Sequence, residues 1–221
     1  MGKLNPKSYV FDVCGTLYAS NTTYDFLLFY FKKSRLWKYI TCRLALSFPS
    51  KALLVVVGKL GGKIGLRSYL VGLLADEPVG RVKGSAIRFV NEFLTSKKIH
   101  YTHNLLQESI KNGDRIILAS GSLFPVVQAI ADVLNVDEFI ASTLEQDKNG
   151  KYTGLYLLDV KARKMDFLDL KNSDMVVVTD NRDDLSLIRN AGEVLIVSKR
   201  KNIAGWKKVL KKHTDYRFIE V

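Results

Sequence analysis

The stretch Tyr9-Val10-Phe11-Asp12-Val13-Cys14-Gly15-Thr16-Leu17 constrains this chain most. Residues 8–12 form a short apolar run that reads as a buried strand and stops at a carboxylate. Gly15 and Thr16 then turn the chain. A carboxylate at the C-terminal end of a buried strand stands where open α/β sheets bind their ligands. A strand followed by a plain polar turn would use the same residues, so the meaning of Asp12 depends on what the rest of the chain brings to it.

Beyond Gly113 the texture is one of alternating strands and helices. The runs at 115–119, 138–141, 175–179 and 194–197 read as strands, and 217–221 as a last edge strand. Residues 124–134, 161–170, 184–191 and 203–212 read as helices between them. Asp147-Lys148-Asn149-Gly150-Lys151 has the Asn-Gly centre of a hairpin turn. Such alternation builds a parallel sheet with helices on both faces. The expected fold is therefore α/β: a three-layer, doubly wound, Rossmann-like core made of residues 1–19 and 112–221. Residues 20–111 become an inserted, mostly helical cap.

The insertion is chemically distinct. The chain has 221 residues and a formal net charge of +12, but residues 26–75 contain no Asp or Glu and nine Lys or Arg. Residues 199–217 add eight basic residues against Asp215 alone. Basicity concentrated in this way attracts an anionic surface or a phosphorylated ligand. Apolar runs alternate with the cations: Phe26 to Phe31 runs into Lys32 and Lys33, residues 36–46 carry Trp37, Tyr39 and Ile40, and residues 51–57 are apolar after Pro49. Gly58, Gly61, Gly62 and Gly65 mark bends. No window of about 18 residues is free of charge, which argues against a spanning helix. Two readings stay open, a lobe of helices packed on one another and a helix lying in a membrane interface, apolar on one side and cationic on the other. Residues 78–94 have helical apolar spacing, and 105–111 continue as helix to the Asn112-Gly113 stop. His100 and His103 could share a helix face, but with no acidic partner nearby they read as surface or packing residues.

Cys14 and Cys42 form neither a C-x-x-C pair nor a zinc pattern, which suits a reducing compartment. The first residues lack the apolar run of a secretion signal, and Pro6 stands where a myristoylation signal needs Ser or Thr. The expected location is cytoplasmic, with peripheral contact at the inner face of a membrane. No recognised DNA or RNA module is present, so nucleic acid is not an expected partner.

Three further polar clusters follow or flank the predicted buried strands. Ser120-Gly121-Ser122 follows Ile116-Ile117-Leu118-Ala119 and offers a hydroxyl and backbone N–H groups to an anion. Asp180-Asn181-Arg182-Asp183-Asp184 follows Val176-Val177-Val178-Thr179, and two carboxylates four residues apart suit a hard divalent cation such as Mg²⁺. Lys161 and Lys164 precede that strand, and either could neutralise a phosphate. Taken singly, each cluster also has a structural reading as a helix cap, a solvated turn or an exposed lysine.

In this order and spacing the set resembles the haloacid dehalogenase superfamily, and most closely its phosphoserine-phosphatase-like branch with a helical cap. Asp12-Val13-Cys14-Gly15-Thr16-Leu17 resembles motif one, D-x-D-G-T-L. Leu118-Ala119-Ser120-Gly121-Ser122 resembles motif two, Lys164 (rather than Lys161) motif three, and Thr179-Asp180-Asn181-Arg182-Asp183-Asp184 motif four. The resemblance implies that Asp12 attacks a phosphorus and becomes an aspartyl phosphate. It implies Mg²⁺ held by the Asp12 carboxylate, the backbone carbonyl of Cys14, Asp180 and Asp184, with Ser120, Gly121 and Lys164 binding the transferring phosphoryl group.

The departure is Cys14, because phosphatases of this superfamily carry an Asp there as general acid and base. A thiol with an ordinary pKa near 8.5 replaces that carboxyl poorly. The expected function is a Mg²⁺-dependent phosphohydrolase, slow on generic substrates, acting on a phosphorylated lipid headgroup or other membrane-associated phosphate. A dehalogenase or phosphonate-type hydrolase at the same Asp, and a non-catalytic membrane-associated relative, are its rivals.

Overall fold

The computed structural model describes residues 6–47, 65–170, 174–211 and 215–221. Its centre is a seven-stranded sheet in the order β4-β3-β2-β1-β5-β6-β7. The strands are β1 (Ser8–Phe11), β2 (Arg115–Leu123), β3 (Glu138–Gln146), β4 (Tyr152–Leu158), β5 (Met175–Thr179), β6 (Glu193–Ser198) and β7 (Tyr216–Glu220). All neighbours pair parallel except β3 and β4. β1 lies between β2 and β5, with Phe11 opposite Leu118 and Val178.

Parallel strands covered on both faces read as continuous apolar runs, and these do. Residues of alternating parity enter two cores. Phe11, Leu118, Val176 and Val178 face one, together with the helices that lie between β1 and β2 in sequence. Val10, Ile117, Val177, Val194 and Ile196 face the other, covered by Leu187, Ile188 and Trp206. The first core is walled by α1 (Thr22–Ser34), α2 (Leu36–Ala45), α3 (Leu66–Gly72), α4 (Val79–Glu92), α5 (His100–Lys111) and α6 (Phe124–Leu134). The second is walled by α7 (Leu185–Asn190) and α8 (Ile203–Val209). The three-layer α/β architecture expected from the sequence is therefore present.

Several boundaries move. The hairpin turn at 147–151 is present, with Asp147 Oδ1 accepting from the N–H groups of Asn149 and Lys151 at 2.9 Å. It joins β3 to β4, a strand the pattern did not single out. The expected helix over 161–170 is a correction: only a 3₁₀ turn, Lys164–Phe167, forms there. Asp159 Oδ1 accepts from the Lys161 N–H, and Ala162 has φ +59°, a left-handed conformation that no helix propagates through. The helix expected over 184–191 opens as a 3₁₀ turn, Arg182–Asp184, before α7. Pro49, the apolar run at 51–57 and Gly58, Gly61 and Gly62 lie outside the described residues.

Two contacts fix how the insertion meets the sheet. Buried Glu77 accepts from Lys38 Nζ at 2.8 Å and from Tyr30 Oη at 2.7 Å, tying α1 and α2 to the turn before α4. The same turn hydrogen-bonds β4 through Glu77 O and the Tyr152 N–H. Gly154 of β4 has φ +84°, and a Cβ there would lie 2.7 Å from the carbonyl oxygen of Gly72, so α3 rests directly on the β4 backbone.

Candidate active site

Asp12 leaves β1 at the crest of the sheet, its N–H held by Val178 O at 2.9 Å. Its side chain is buried. Lys164 Nζ donates to Asp12 Oδ1 at 2.6 Å and to Asp184 Oδ2 at 2.8 Å. Thr179 Oγ1 donates to the same Asp184 oxygen at 2.7 Å. The 3₁₀ turn explains why Lys164 can do this: it folds the lysine inward to 3% exposure, while Lys161 stays exposed and pairs with Asp183 at 3.2 Å. Of the two lysines left open by the sequence, Lys164 is the one brought to Asp12.

Burial pushes the Asp12 carboxyl above the ordinary range, against the pull of the Lys164 ammonium. For Lys164 burial acts downward, but Asp12 and Asp184 outweigh it and hold its pKa above the usual lysine value. The lysine is thus a fixed cation between two carboxylates. Asp12 Oδ2 and Asp184 Oδ1 are both buried and have no hydrogen-bond partner among the described residues. Orphaned buried carboxylate oxygens are costly unless something else meets them.

Asp180 is placed differently. Its N–H donates to Thr16 Oγ1 at 2.9 Å, and Thr16 Oγ1 donates back to Asp180 Oδ1 at 3.2 Å. The carboxylate lies over Gly15, where a Cβ would come 2.1 Å from Asp180 Oδ2. Burial raises the Asp180 carboxyl to about 6. Among the described residues no three His, Cys, Asp or Glu side chains are grouped to hold a metal ion. The donor chemistry nevertheless fits a hard divalent cation. Two unpartnered buried carboxylate oxygens are present, and Asp180 is a third acid one loop away, engaged with a neutral hydroxyl.

Ser120, Gly121 and Ser122 do not follow the strand but belong to it. Their part of β2 bulges: Ala119 pairs with Ile140 and Leu123 with Ser142, so four steps along β2 match two along β3. The excess chain is pushed towards a cavity of 170 Å³ lined by Asp12, Cys14, Arg67, Ser120, Lys164 and Asp184 among others. Ser120 Oγ accepts from the Ser122 N–H at 3.1 Å.

Cys14 also lines this cavity. Its Sγ lies 2.9 Å from Thr22 Oγ1 and 3.1 Å from Ser122 Oγ. Burial, reinforced by the charge of Asp12, pushes the thiol upward. The group at residue 14 is therefore a protonated thiol in a ring of hydroxyls.

Arg67 was not legible as a site residue. It comes from α3, donates to Asp159 Oδ2 at 2.6 Å and to Ser142 Oγ at 3.1 Å, and also bonds the Gly121 carbonyl. Its guanidinium lies 4.6 Å from the Tyr156 ring centroid. One arginine among nine basic residues carries no sequence signal that it turns inward. Thr22 and Thr179 were equally silent, being ordinary hydroxyls whose value comes from their neighbours. His103 is buried against Tyr18, and burial lowers it to about 4, which leaves it uncharged and in a packing role.

No curated protein matches the sequence. Several solved structures share the fold. A protein of unknown function from Bordetella pertussis Tohama I superposes with a TM-score of 0.77 at 16% identity, over 98% of this chain and 99% of its own. A phosphoserine phosphatase in apo form gives 0.62 at 20% identity, over 98% and 94%. A phospho-aspartyl intermediate analogue of phosphoserine phosphatase gives 0.56 at 20% identity, over 98% and 94%. At such identities the likeness is one of fold. The family model of the haloacid dehalogenase-like hydrolases matches residues 9–189, a span that runs from before Asp12 to beyond Asp184, and the chain belongs to that family.

Proposed function

We propose that the chain is a Mg²⁺-dependent phosphatase in which Asp12 is the nucleophile. The observation that carries this is the Lys164 ammonium locked between Asp12 and Asp184 beside a carboxylate oxygen, Asp12 Oδ2, that has no hydrogen-bond partner among the described residues. A phosphate monoester is an anion, and an anionic nucleophile attacks it only where positive charge offsets the repulsion. Lys164 supplies such charge. The Ser120 hydroxyl and the Gly121 N–H would hold the phosphoryl oxygens.

Asp12 would attack the phosphorus, the ester P–O bond would break, and the alkoxide would leave as the alcohol, taking a proton from water or, slowly, from the Cys14 thiol. Water would then attack the phosphorus of the acyl phosphate and pass its proton to solvent, breaking the P–O bond to Asp12 and releasing inorganic phosphate with the Asp12 carboxylate restored. Asp12, Asp184 and, after release from Thr16, Asp180 would hold the metal, together with the Cys14 carbonyl. Bound there, Mg²⁺ supplies charge neutralisation of the transferring group. Cys14 is the weak member: a thiol pushed upward gives its proton reluctantly and takes none from water. Turnover is accordingly slow.

Residues 20–111 act as the cap over this site, and the basic, acid-free stretch within it favours a phosphorylated lipid headgroup or other membrane-associated phosphate as substrate. Cys14 itself favours a second reading, C–Cl or C–P cleavage at the same Asp. The test is hydrolysis of p-nitrophenyl phosphate with and without Mg²⁺ by the native protein and by Asp12→Asn. Mg²⁺-dependent release, abolished in Asp12→Asn, is the expected result. Turnover that survives in Asp12→Asn overturns the assignment, and cleavage of a chloroacid without metal selects the second reading.

A further inference from the structure

Helix α2 is apolar on both sides. Inward it turns Cys42 and Ala45, with Lys38 buried against Glu77. Outward it presents Leu36 at 66% exposure, Trp37 at 61%, Ile40 at 49% and Leu44 at 62%. At helical spacing these four fall within an arc of about 100°. An isolated exposed leucine is ordinary, but four large apolar side chains on one solvent face are not.

The charge around this face says what covers it. Exposed Lys32 and Lys33 end α1 and exposed Arg43 stands in the last turn of α2. Residues 26–75 supply no acid at all. A second copy of the chain seated on this face would bring like charge against like charge. An anionic surface with an apolar interior complements both features at once. No helix among the described residues is long and apolar enough to cross a membrane, so the match is to a helix lying on one. Tryptophan is a favoured residue at that depth.

We propose that α2 docks on an anionic lipid bilayer. Leu36, Trp37, Ile40 and Leu44 enter the boundary between headgroups and acyl chains, and Lys32 and Arg43 meet the lipid phosphates. Helix α3 packs against α2 and carries Arg67 to the cavity that Asp12 lines, so docking sets that cavity close to the headgroups. The docking stands without the phosphatase reading; only its use to reach headgroup phosphates rests on that reading.

The test uses the native chain with vesicles of phosphatidylcholine alone and with phosphatidylglycerol added, read by flotation and by tryptophan emission. The chain has two tryptophans, exposed Trp37 and Trp206, which is 3% exposed. A blue shift and loss of acrylamide quenching therefore report Trp37. The expected result is flotation and a blue shift with the anionic vesicles only. Trp37→Phe abolishes the shift and keeps most of the flotation. Removing Leu36, Ile40 and Leu44 together as serines lowers partitioning by at least about tenfold per side chain. The thermal midpoint falls by only a few degrees, because these side chains are already about half or more exposed. Lys32→Glu with Arg43→Glu removes the response to phosphatidylglycerol. The proposal is overturned if native protein ignores both vesicles. It is also overturned if the triple serine variant floats like native, or if sedimentation shows a native dimer that the variant dissociates. None of these readings needs turnover, so a failed phosphatase assay leaves them intact.

Discussion

Replacing Cys14 by aspartate should accelerate the reaction, and the gain should depend on the leaving group. In the native site Sγ is fixed 2.9 Å from Thr22 Oγ1 and 3.1 Å from Ser122 Oγ, and burial with the Asp12 charge holds the thiol protonated. A carboxyl at this position inherits the same burial and the same neighbour, both of which keep a proton on it, while the two hydroxyls pull the other way. It therefore titrates nearer neutrality than a thiol can. General acid–base help is worth roughly 10²–10⁴-fold, or about 3–5 kcal/mol of barrier. p-Nitrophenolate leaves well without a proton, whereas an alkoxide needs one. The assay compares kcat/KM for p-nitrophenyl phosphate and for an alkyl phosphate, native against Cys14→Asp, with Mg²⁺ present. The gain should be near the upper end for the alkyl ester and near or below the lower end for the aryl ester. Where hydrolysis of the common acyl phosphate limits turnover, the gain in kcat should be the same for both esters. Equal gains in kcat/KM, or no gain in a variant that folds normally, refute the argument that residue 14 is the missing acid.

Three other perturbations follow from the geometry. Lys164→Met strands two buried carboxylates and should cost about 3–5 kcal/mol, lowering the thermal midpoint by about 10 °C; an unchanged midpoint would show that Lys164 is not the cation holding Asp12 and Asp184. Glu77 is depressed: burial opposes ionisation, but Lys38 and Tyr30 outweigh it. Its stabilising contribution is present above the unfolded-state value near 4.5 and is lost as pH falls through the lower folded value, so Glu77→Gln should flatten the acid limb of stability against pH and cost about 3 kcal/mol at neutrality. Gly15→Ala places a methyl in the space of the Asp180 carboxylate at φ +71°; the backbone cost alone is about 1–2 kcal/mol, and Mg²⁺ response should weaken more than stability if Asp180 contributes to the metal.

What the sequence disclosed and what it withheld divide along physical lines. Buried parallel strands announce themselves because both faces must be apolar, so Val176-Val177-Val178 and Ile116-Ile117-Leu118 were unmistakable. The acids after β1 and β5 were legible because strand ends are where such sheets expose polar groups, whereas Ser120 was found by the same rule although it lies within β2. The segment carrying Lys164 misled: its composition suits a helix, but Ala162 in a left-handed conformation and the Asp159 turn override propensity. The bulge at 120–122 leaves no mark in composition, since it depends on how β2 and β3 register. Arg67 was hidden for a related reason. Whether a cation in a basic stretch faces water or a cavity is decided by packing around α3, which lies far from the cavity in sequence.

The contact between Gly154 and Gly72 gives that packing a lever. Arg67 reaches Asp159, Ser142 and the Gly121 carbonyl only because α3 lies at backbone distance from β4. Any side chain at 154 would wedge the helix outward and draw the guanidinium off the bulge that borders the cavity. A residue that touches no candidate catalytic group would thus govern where Arg67 sits in the cavity it lines. A lineage of such proteins could retune its choice of substrate by adding a single methyl group on an edge strand, with every acid, lysine and serine of the site left in place.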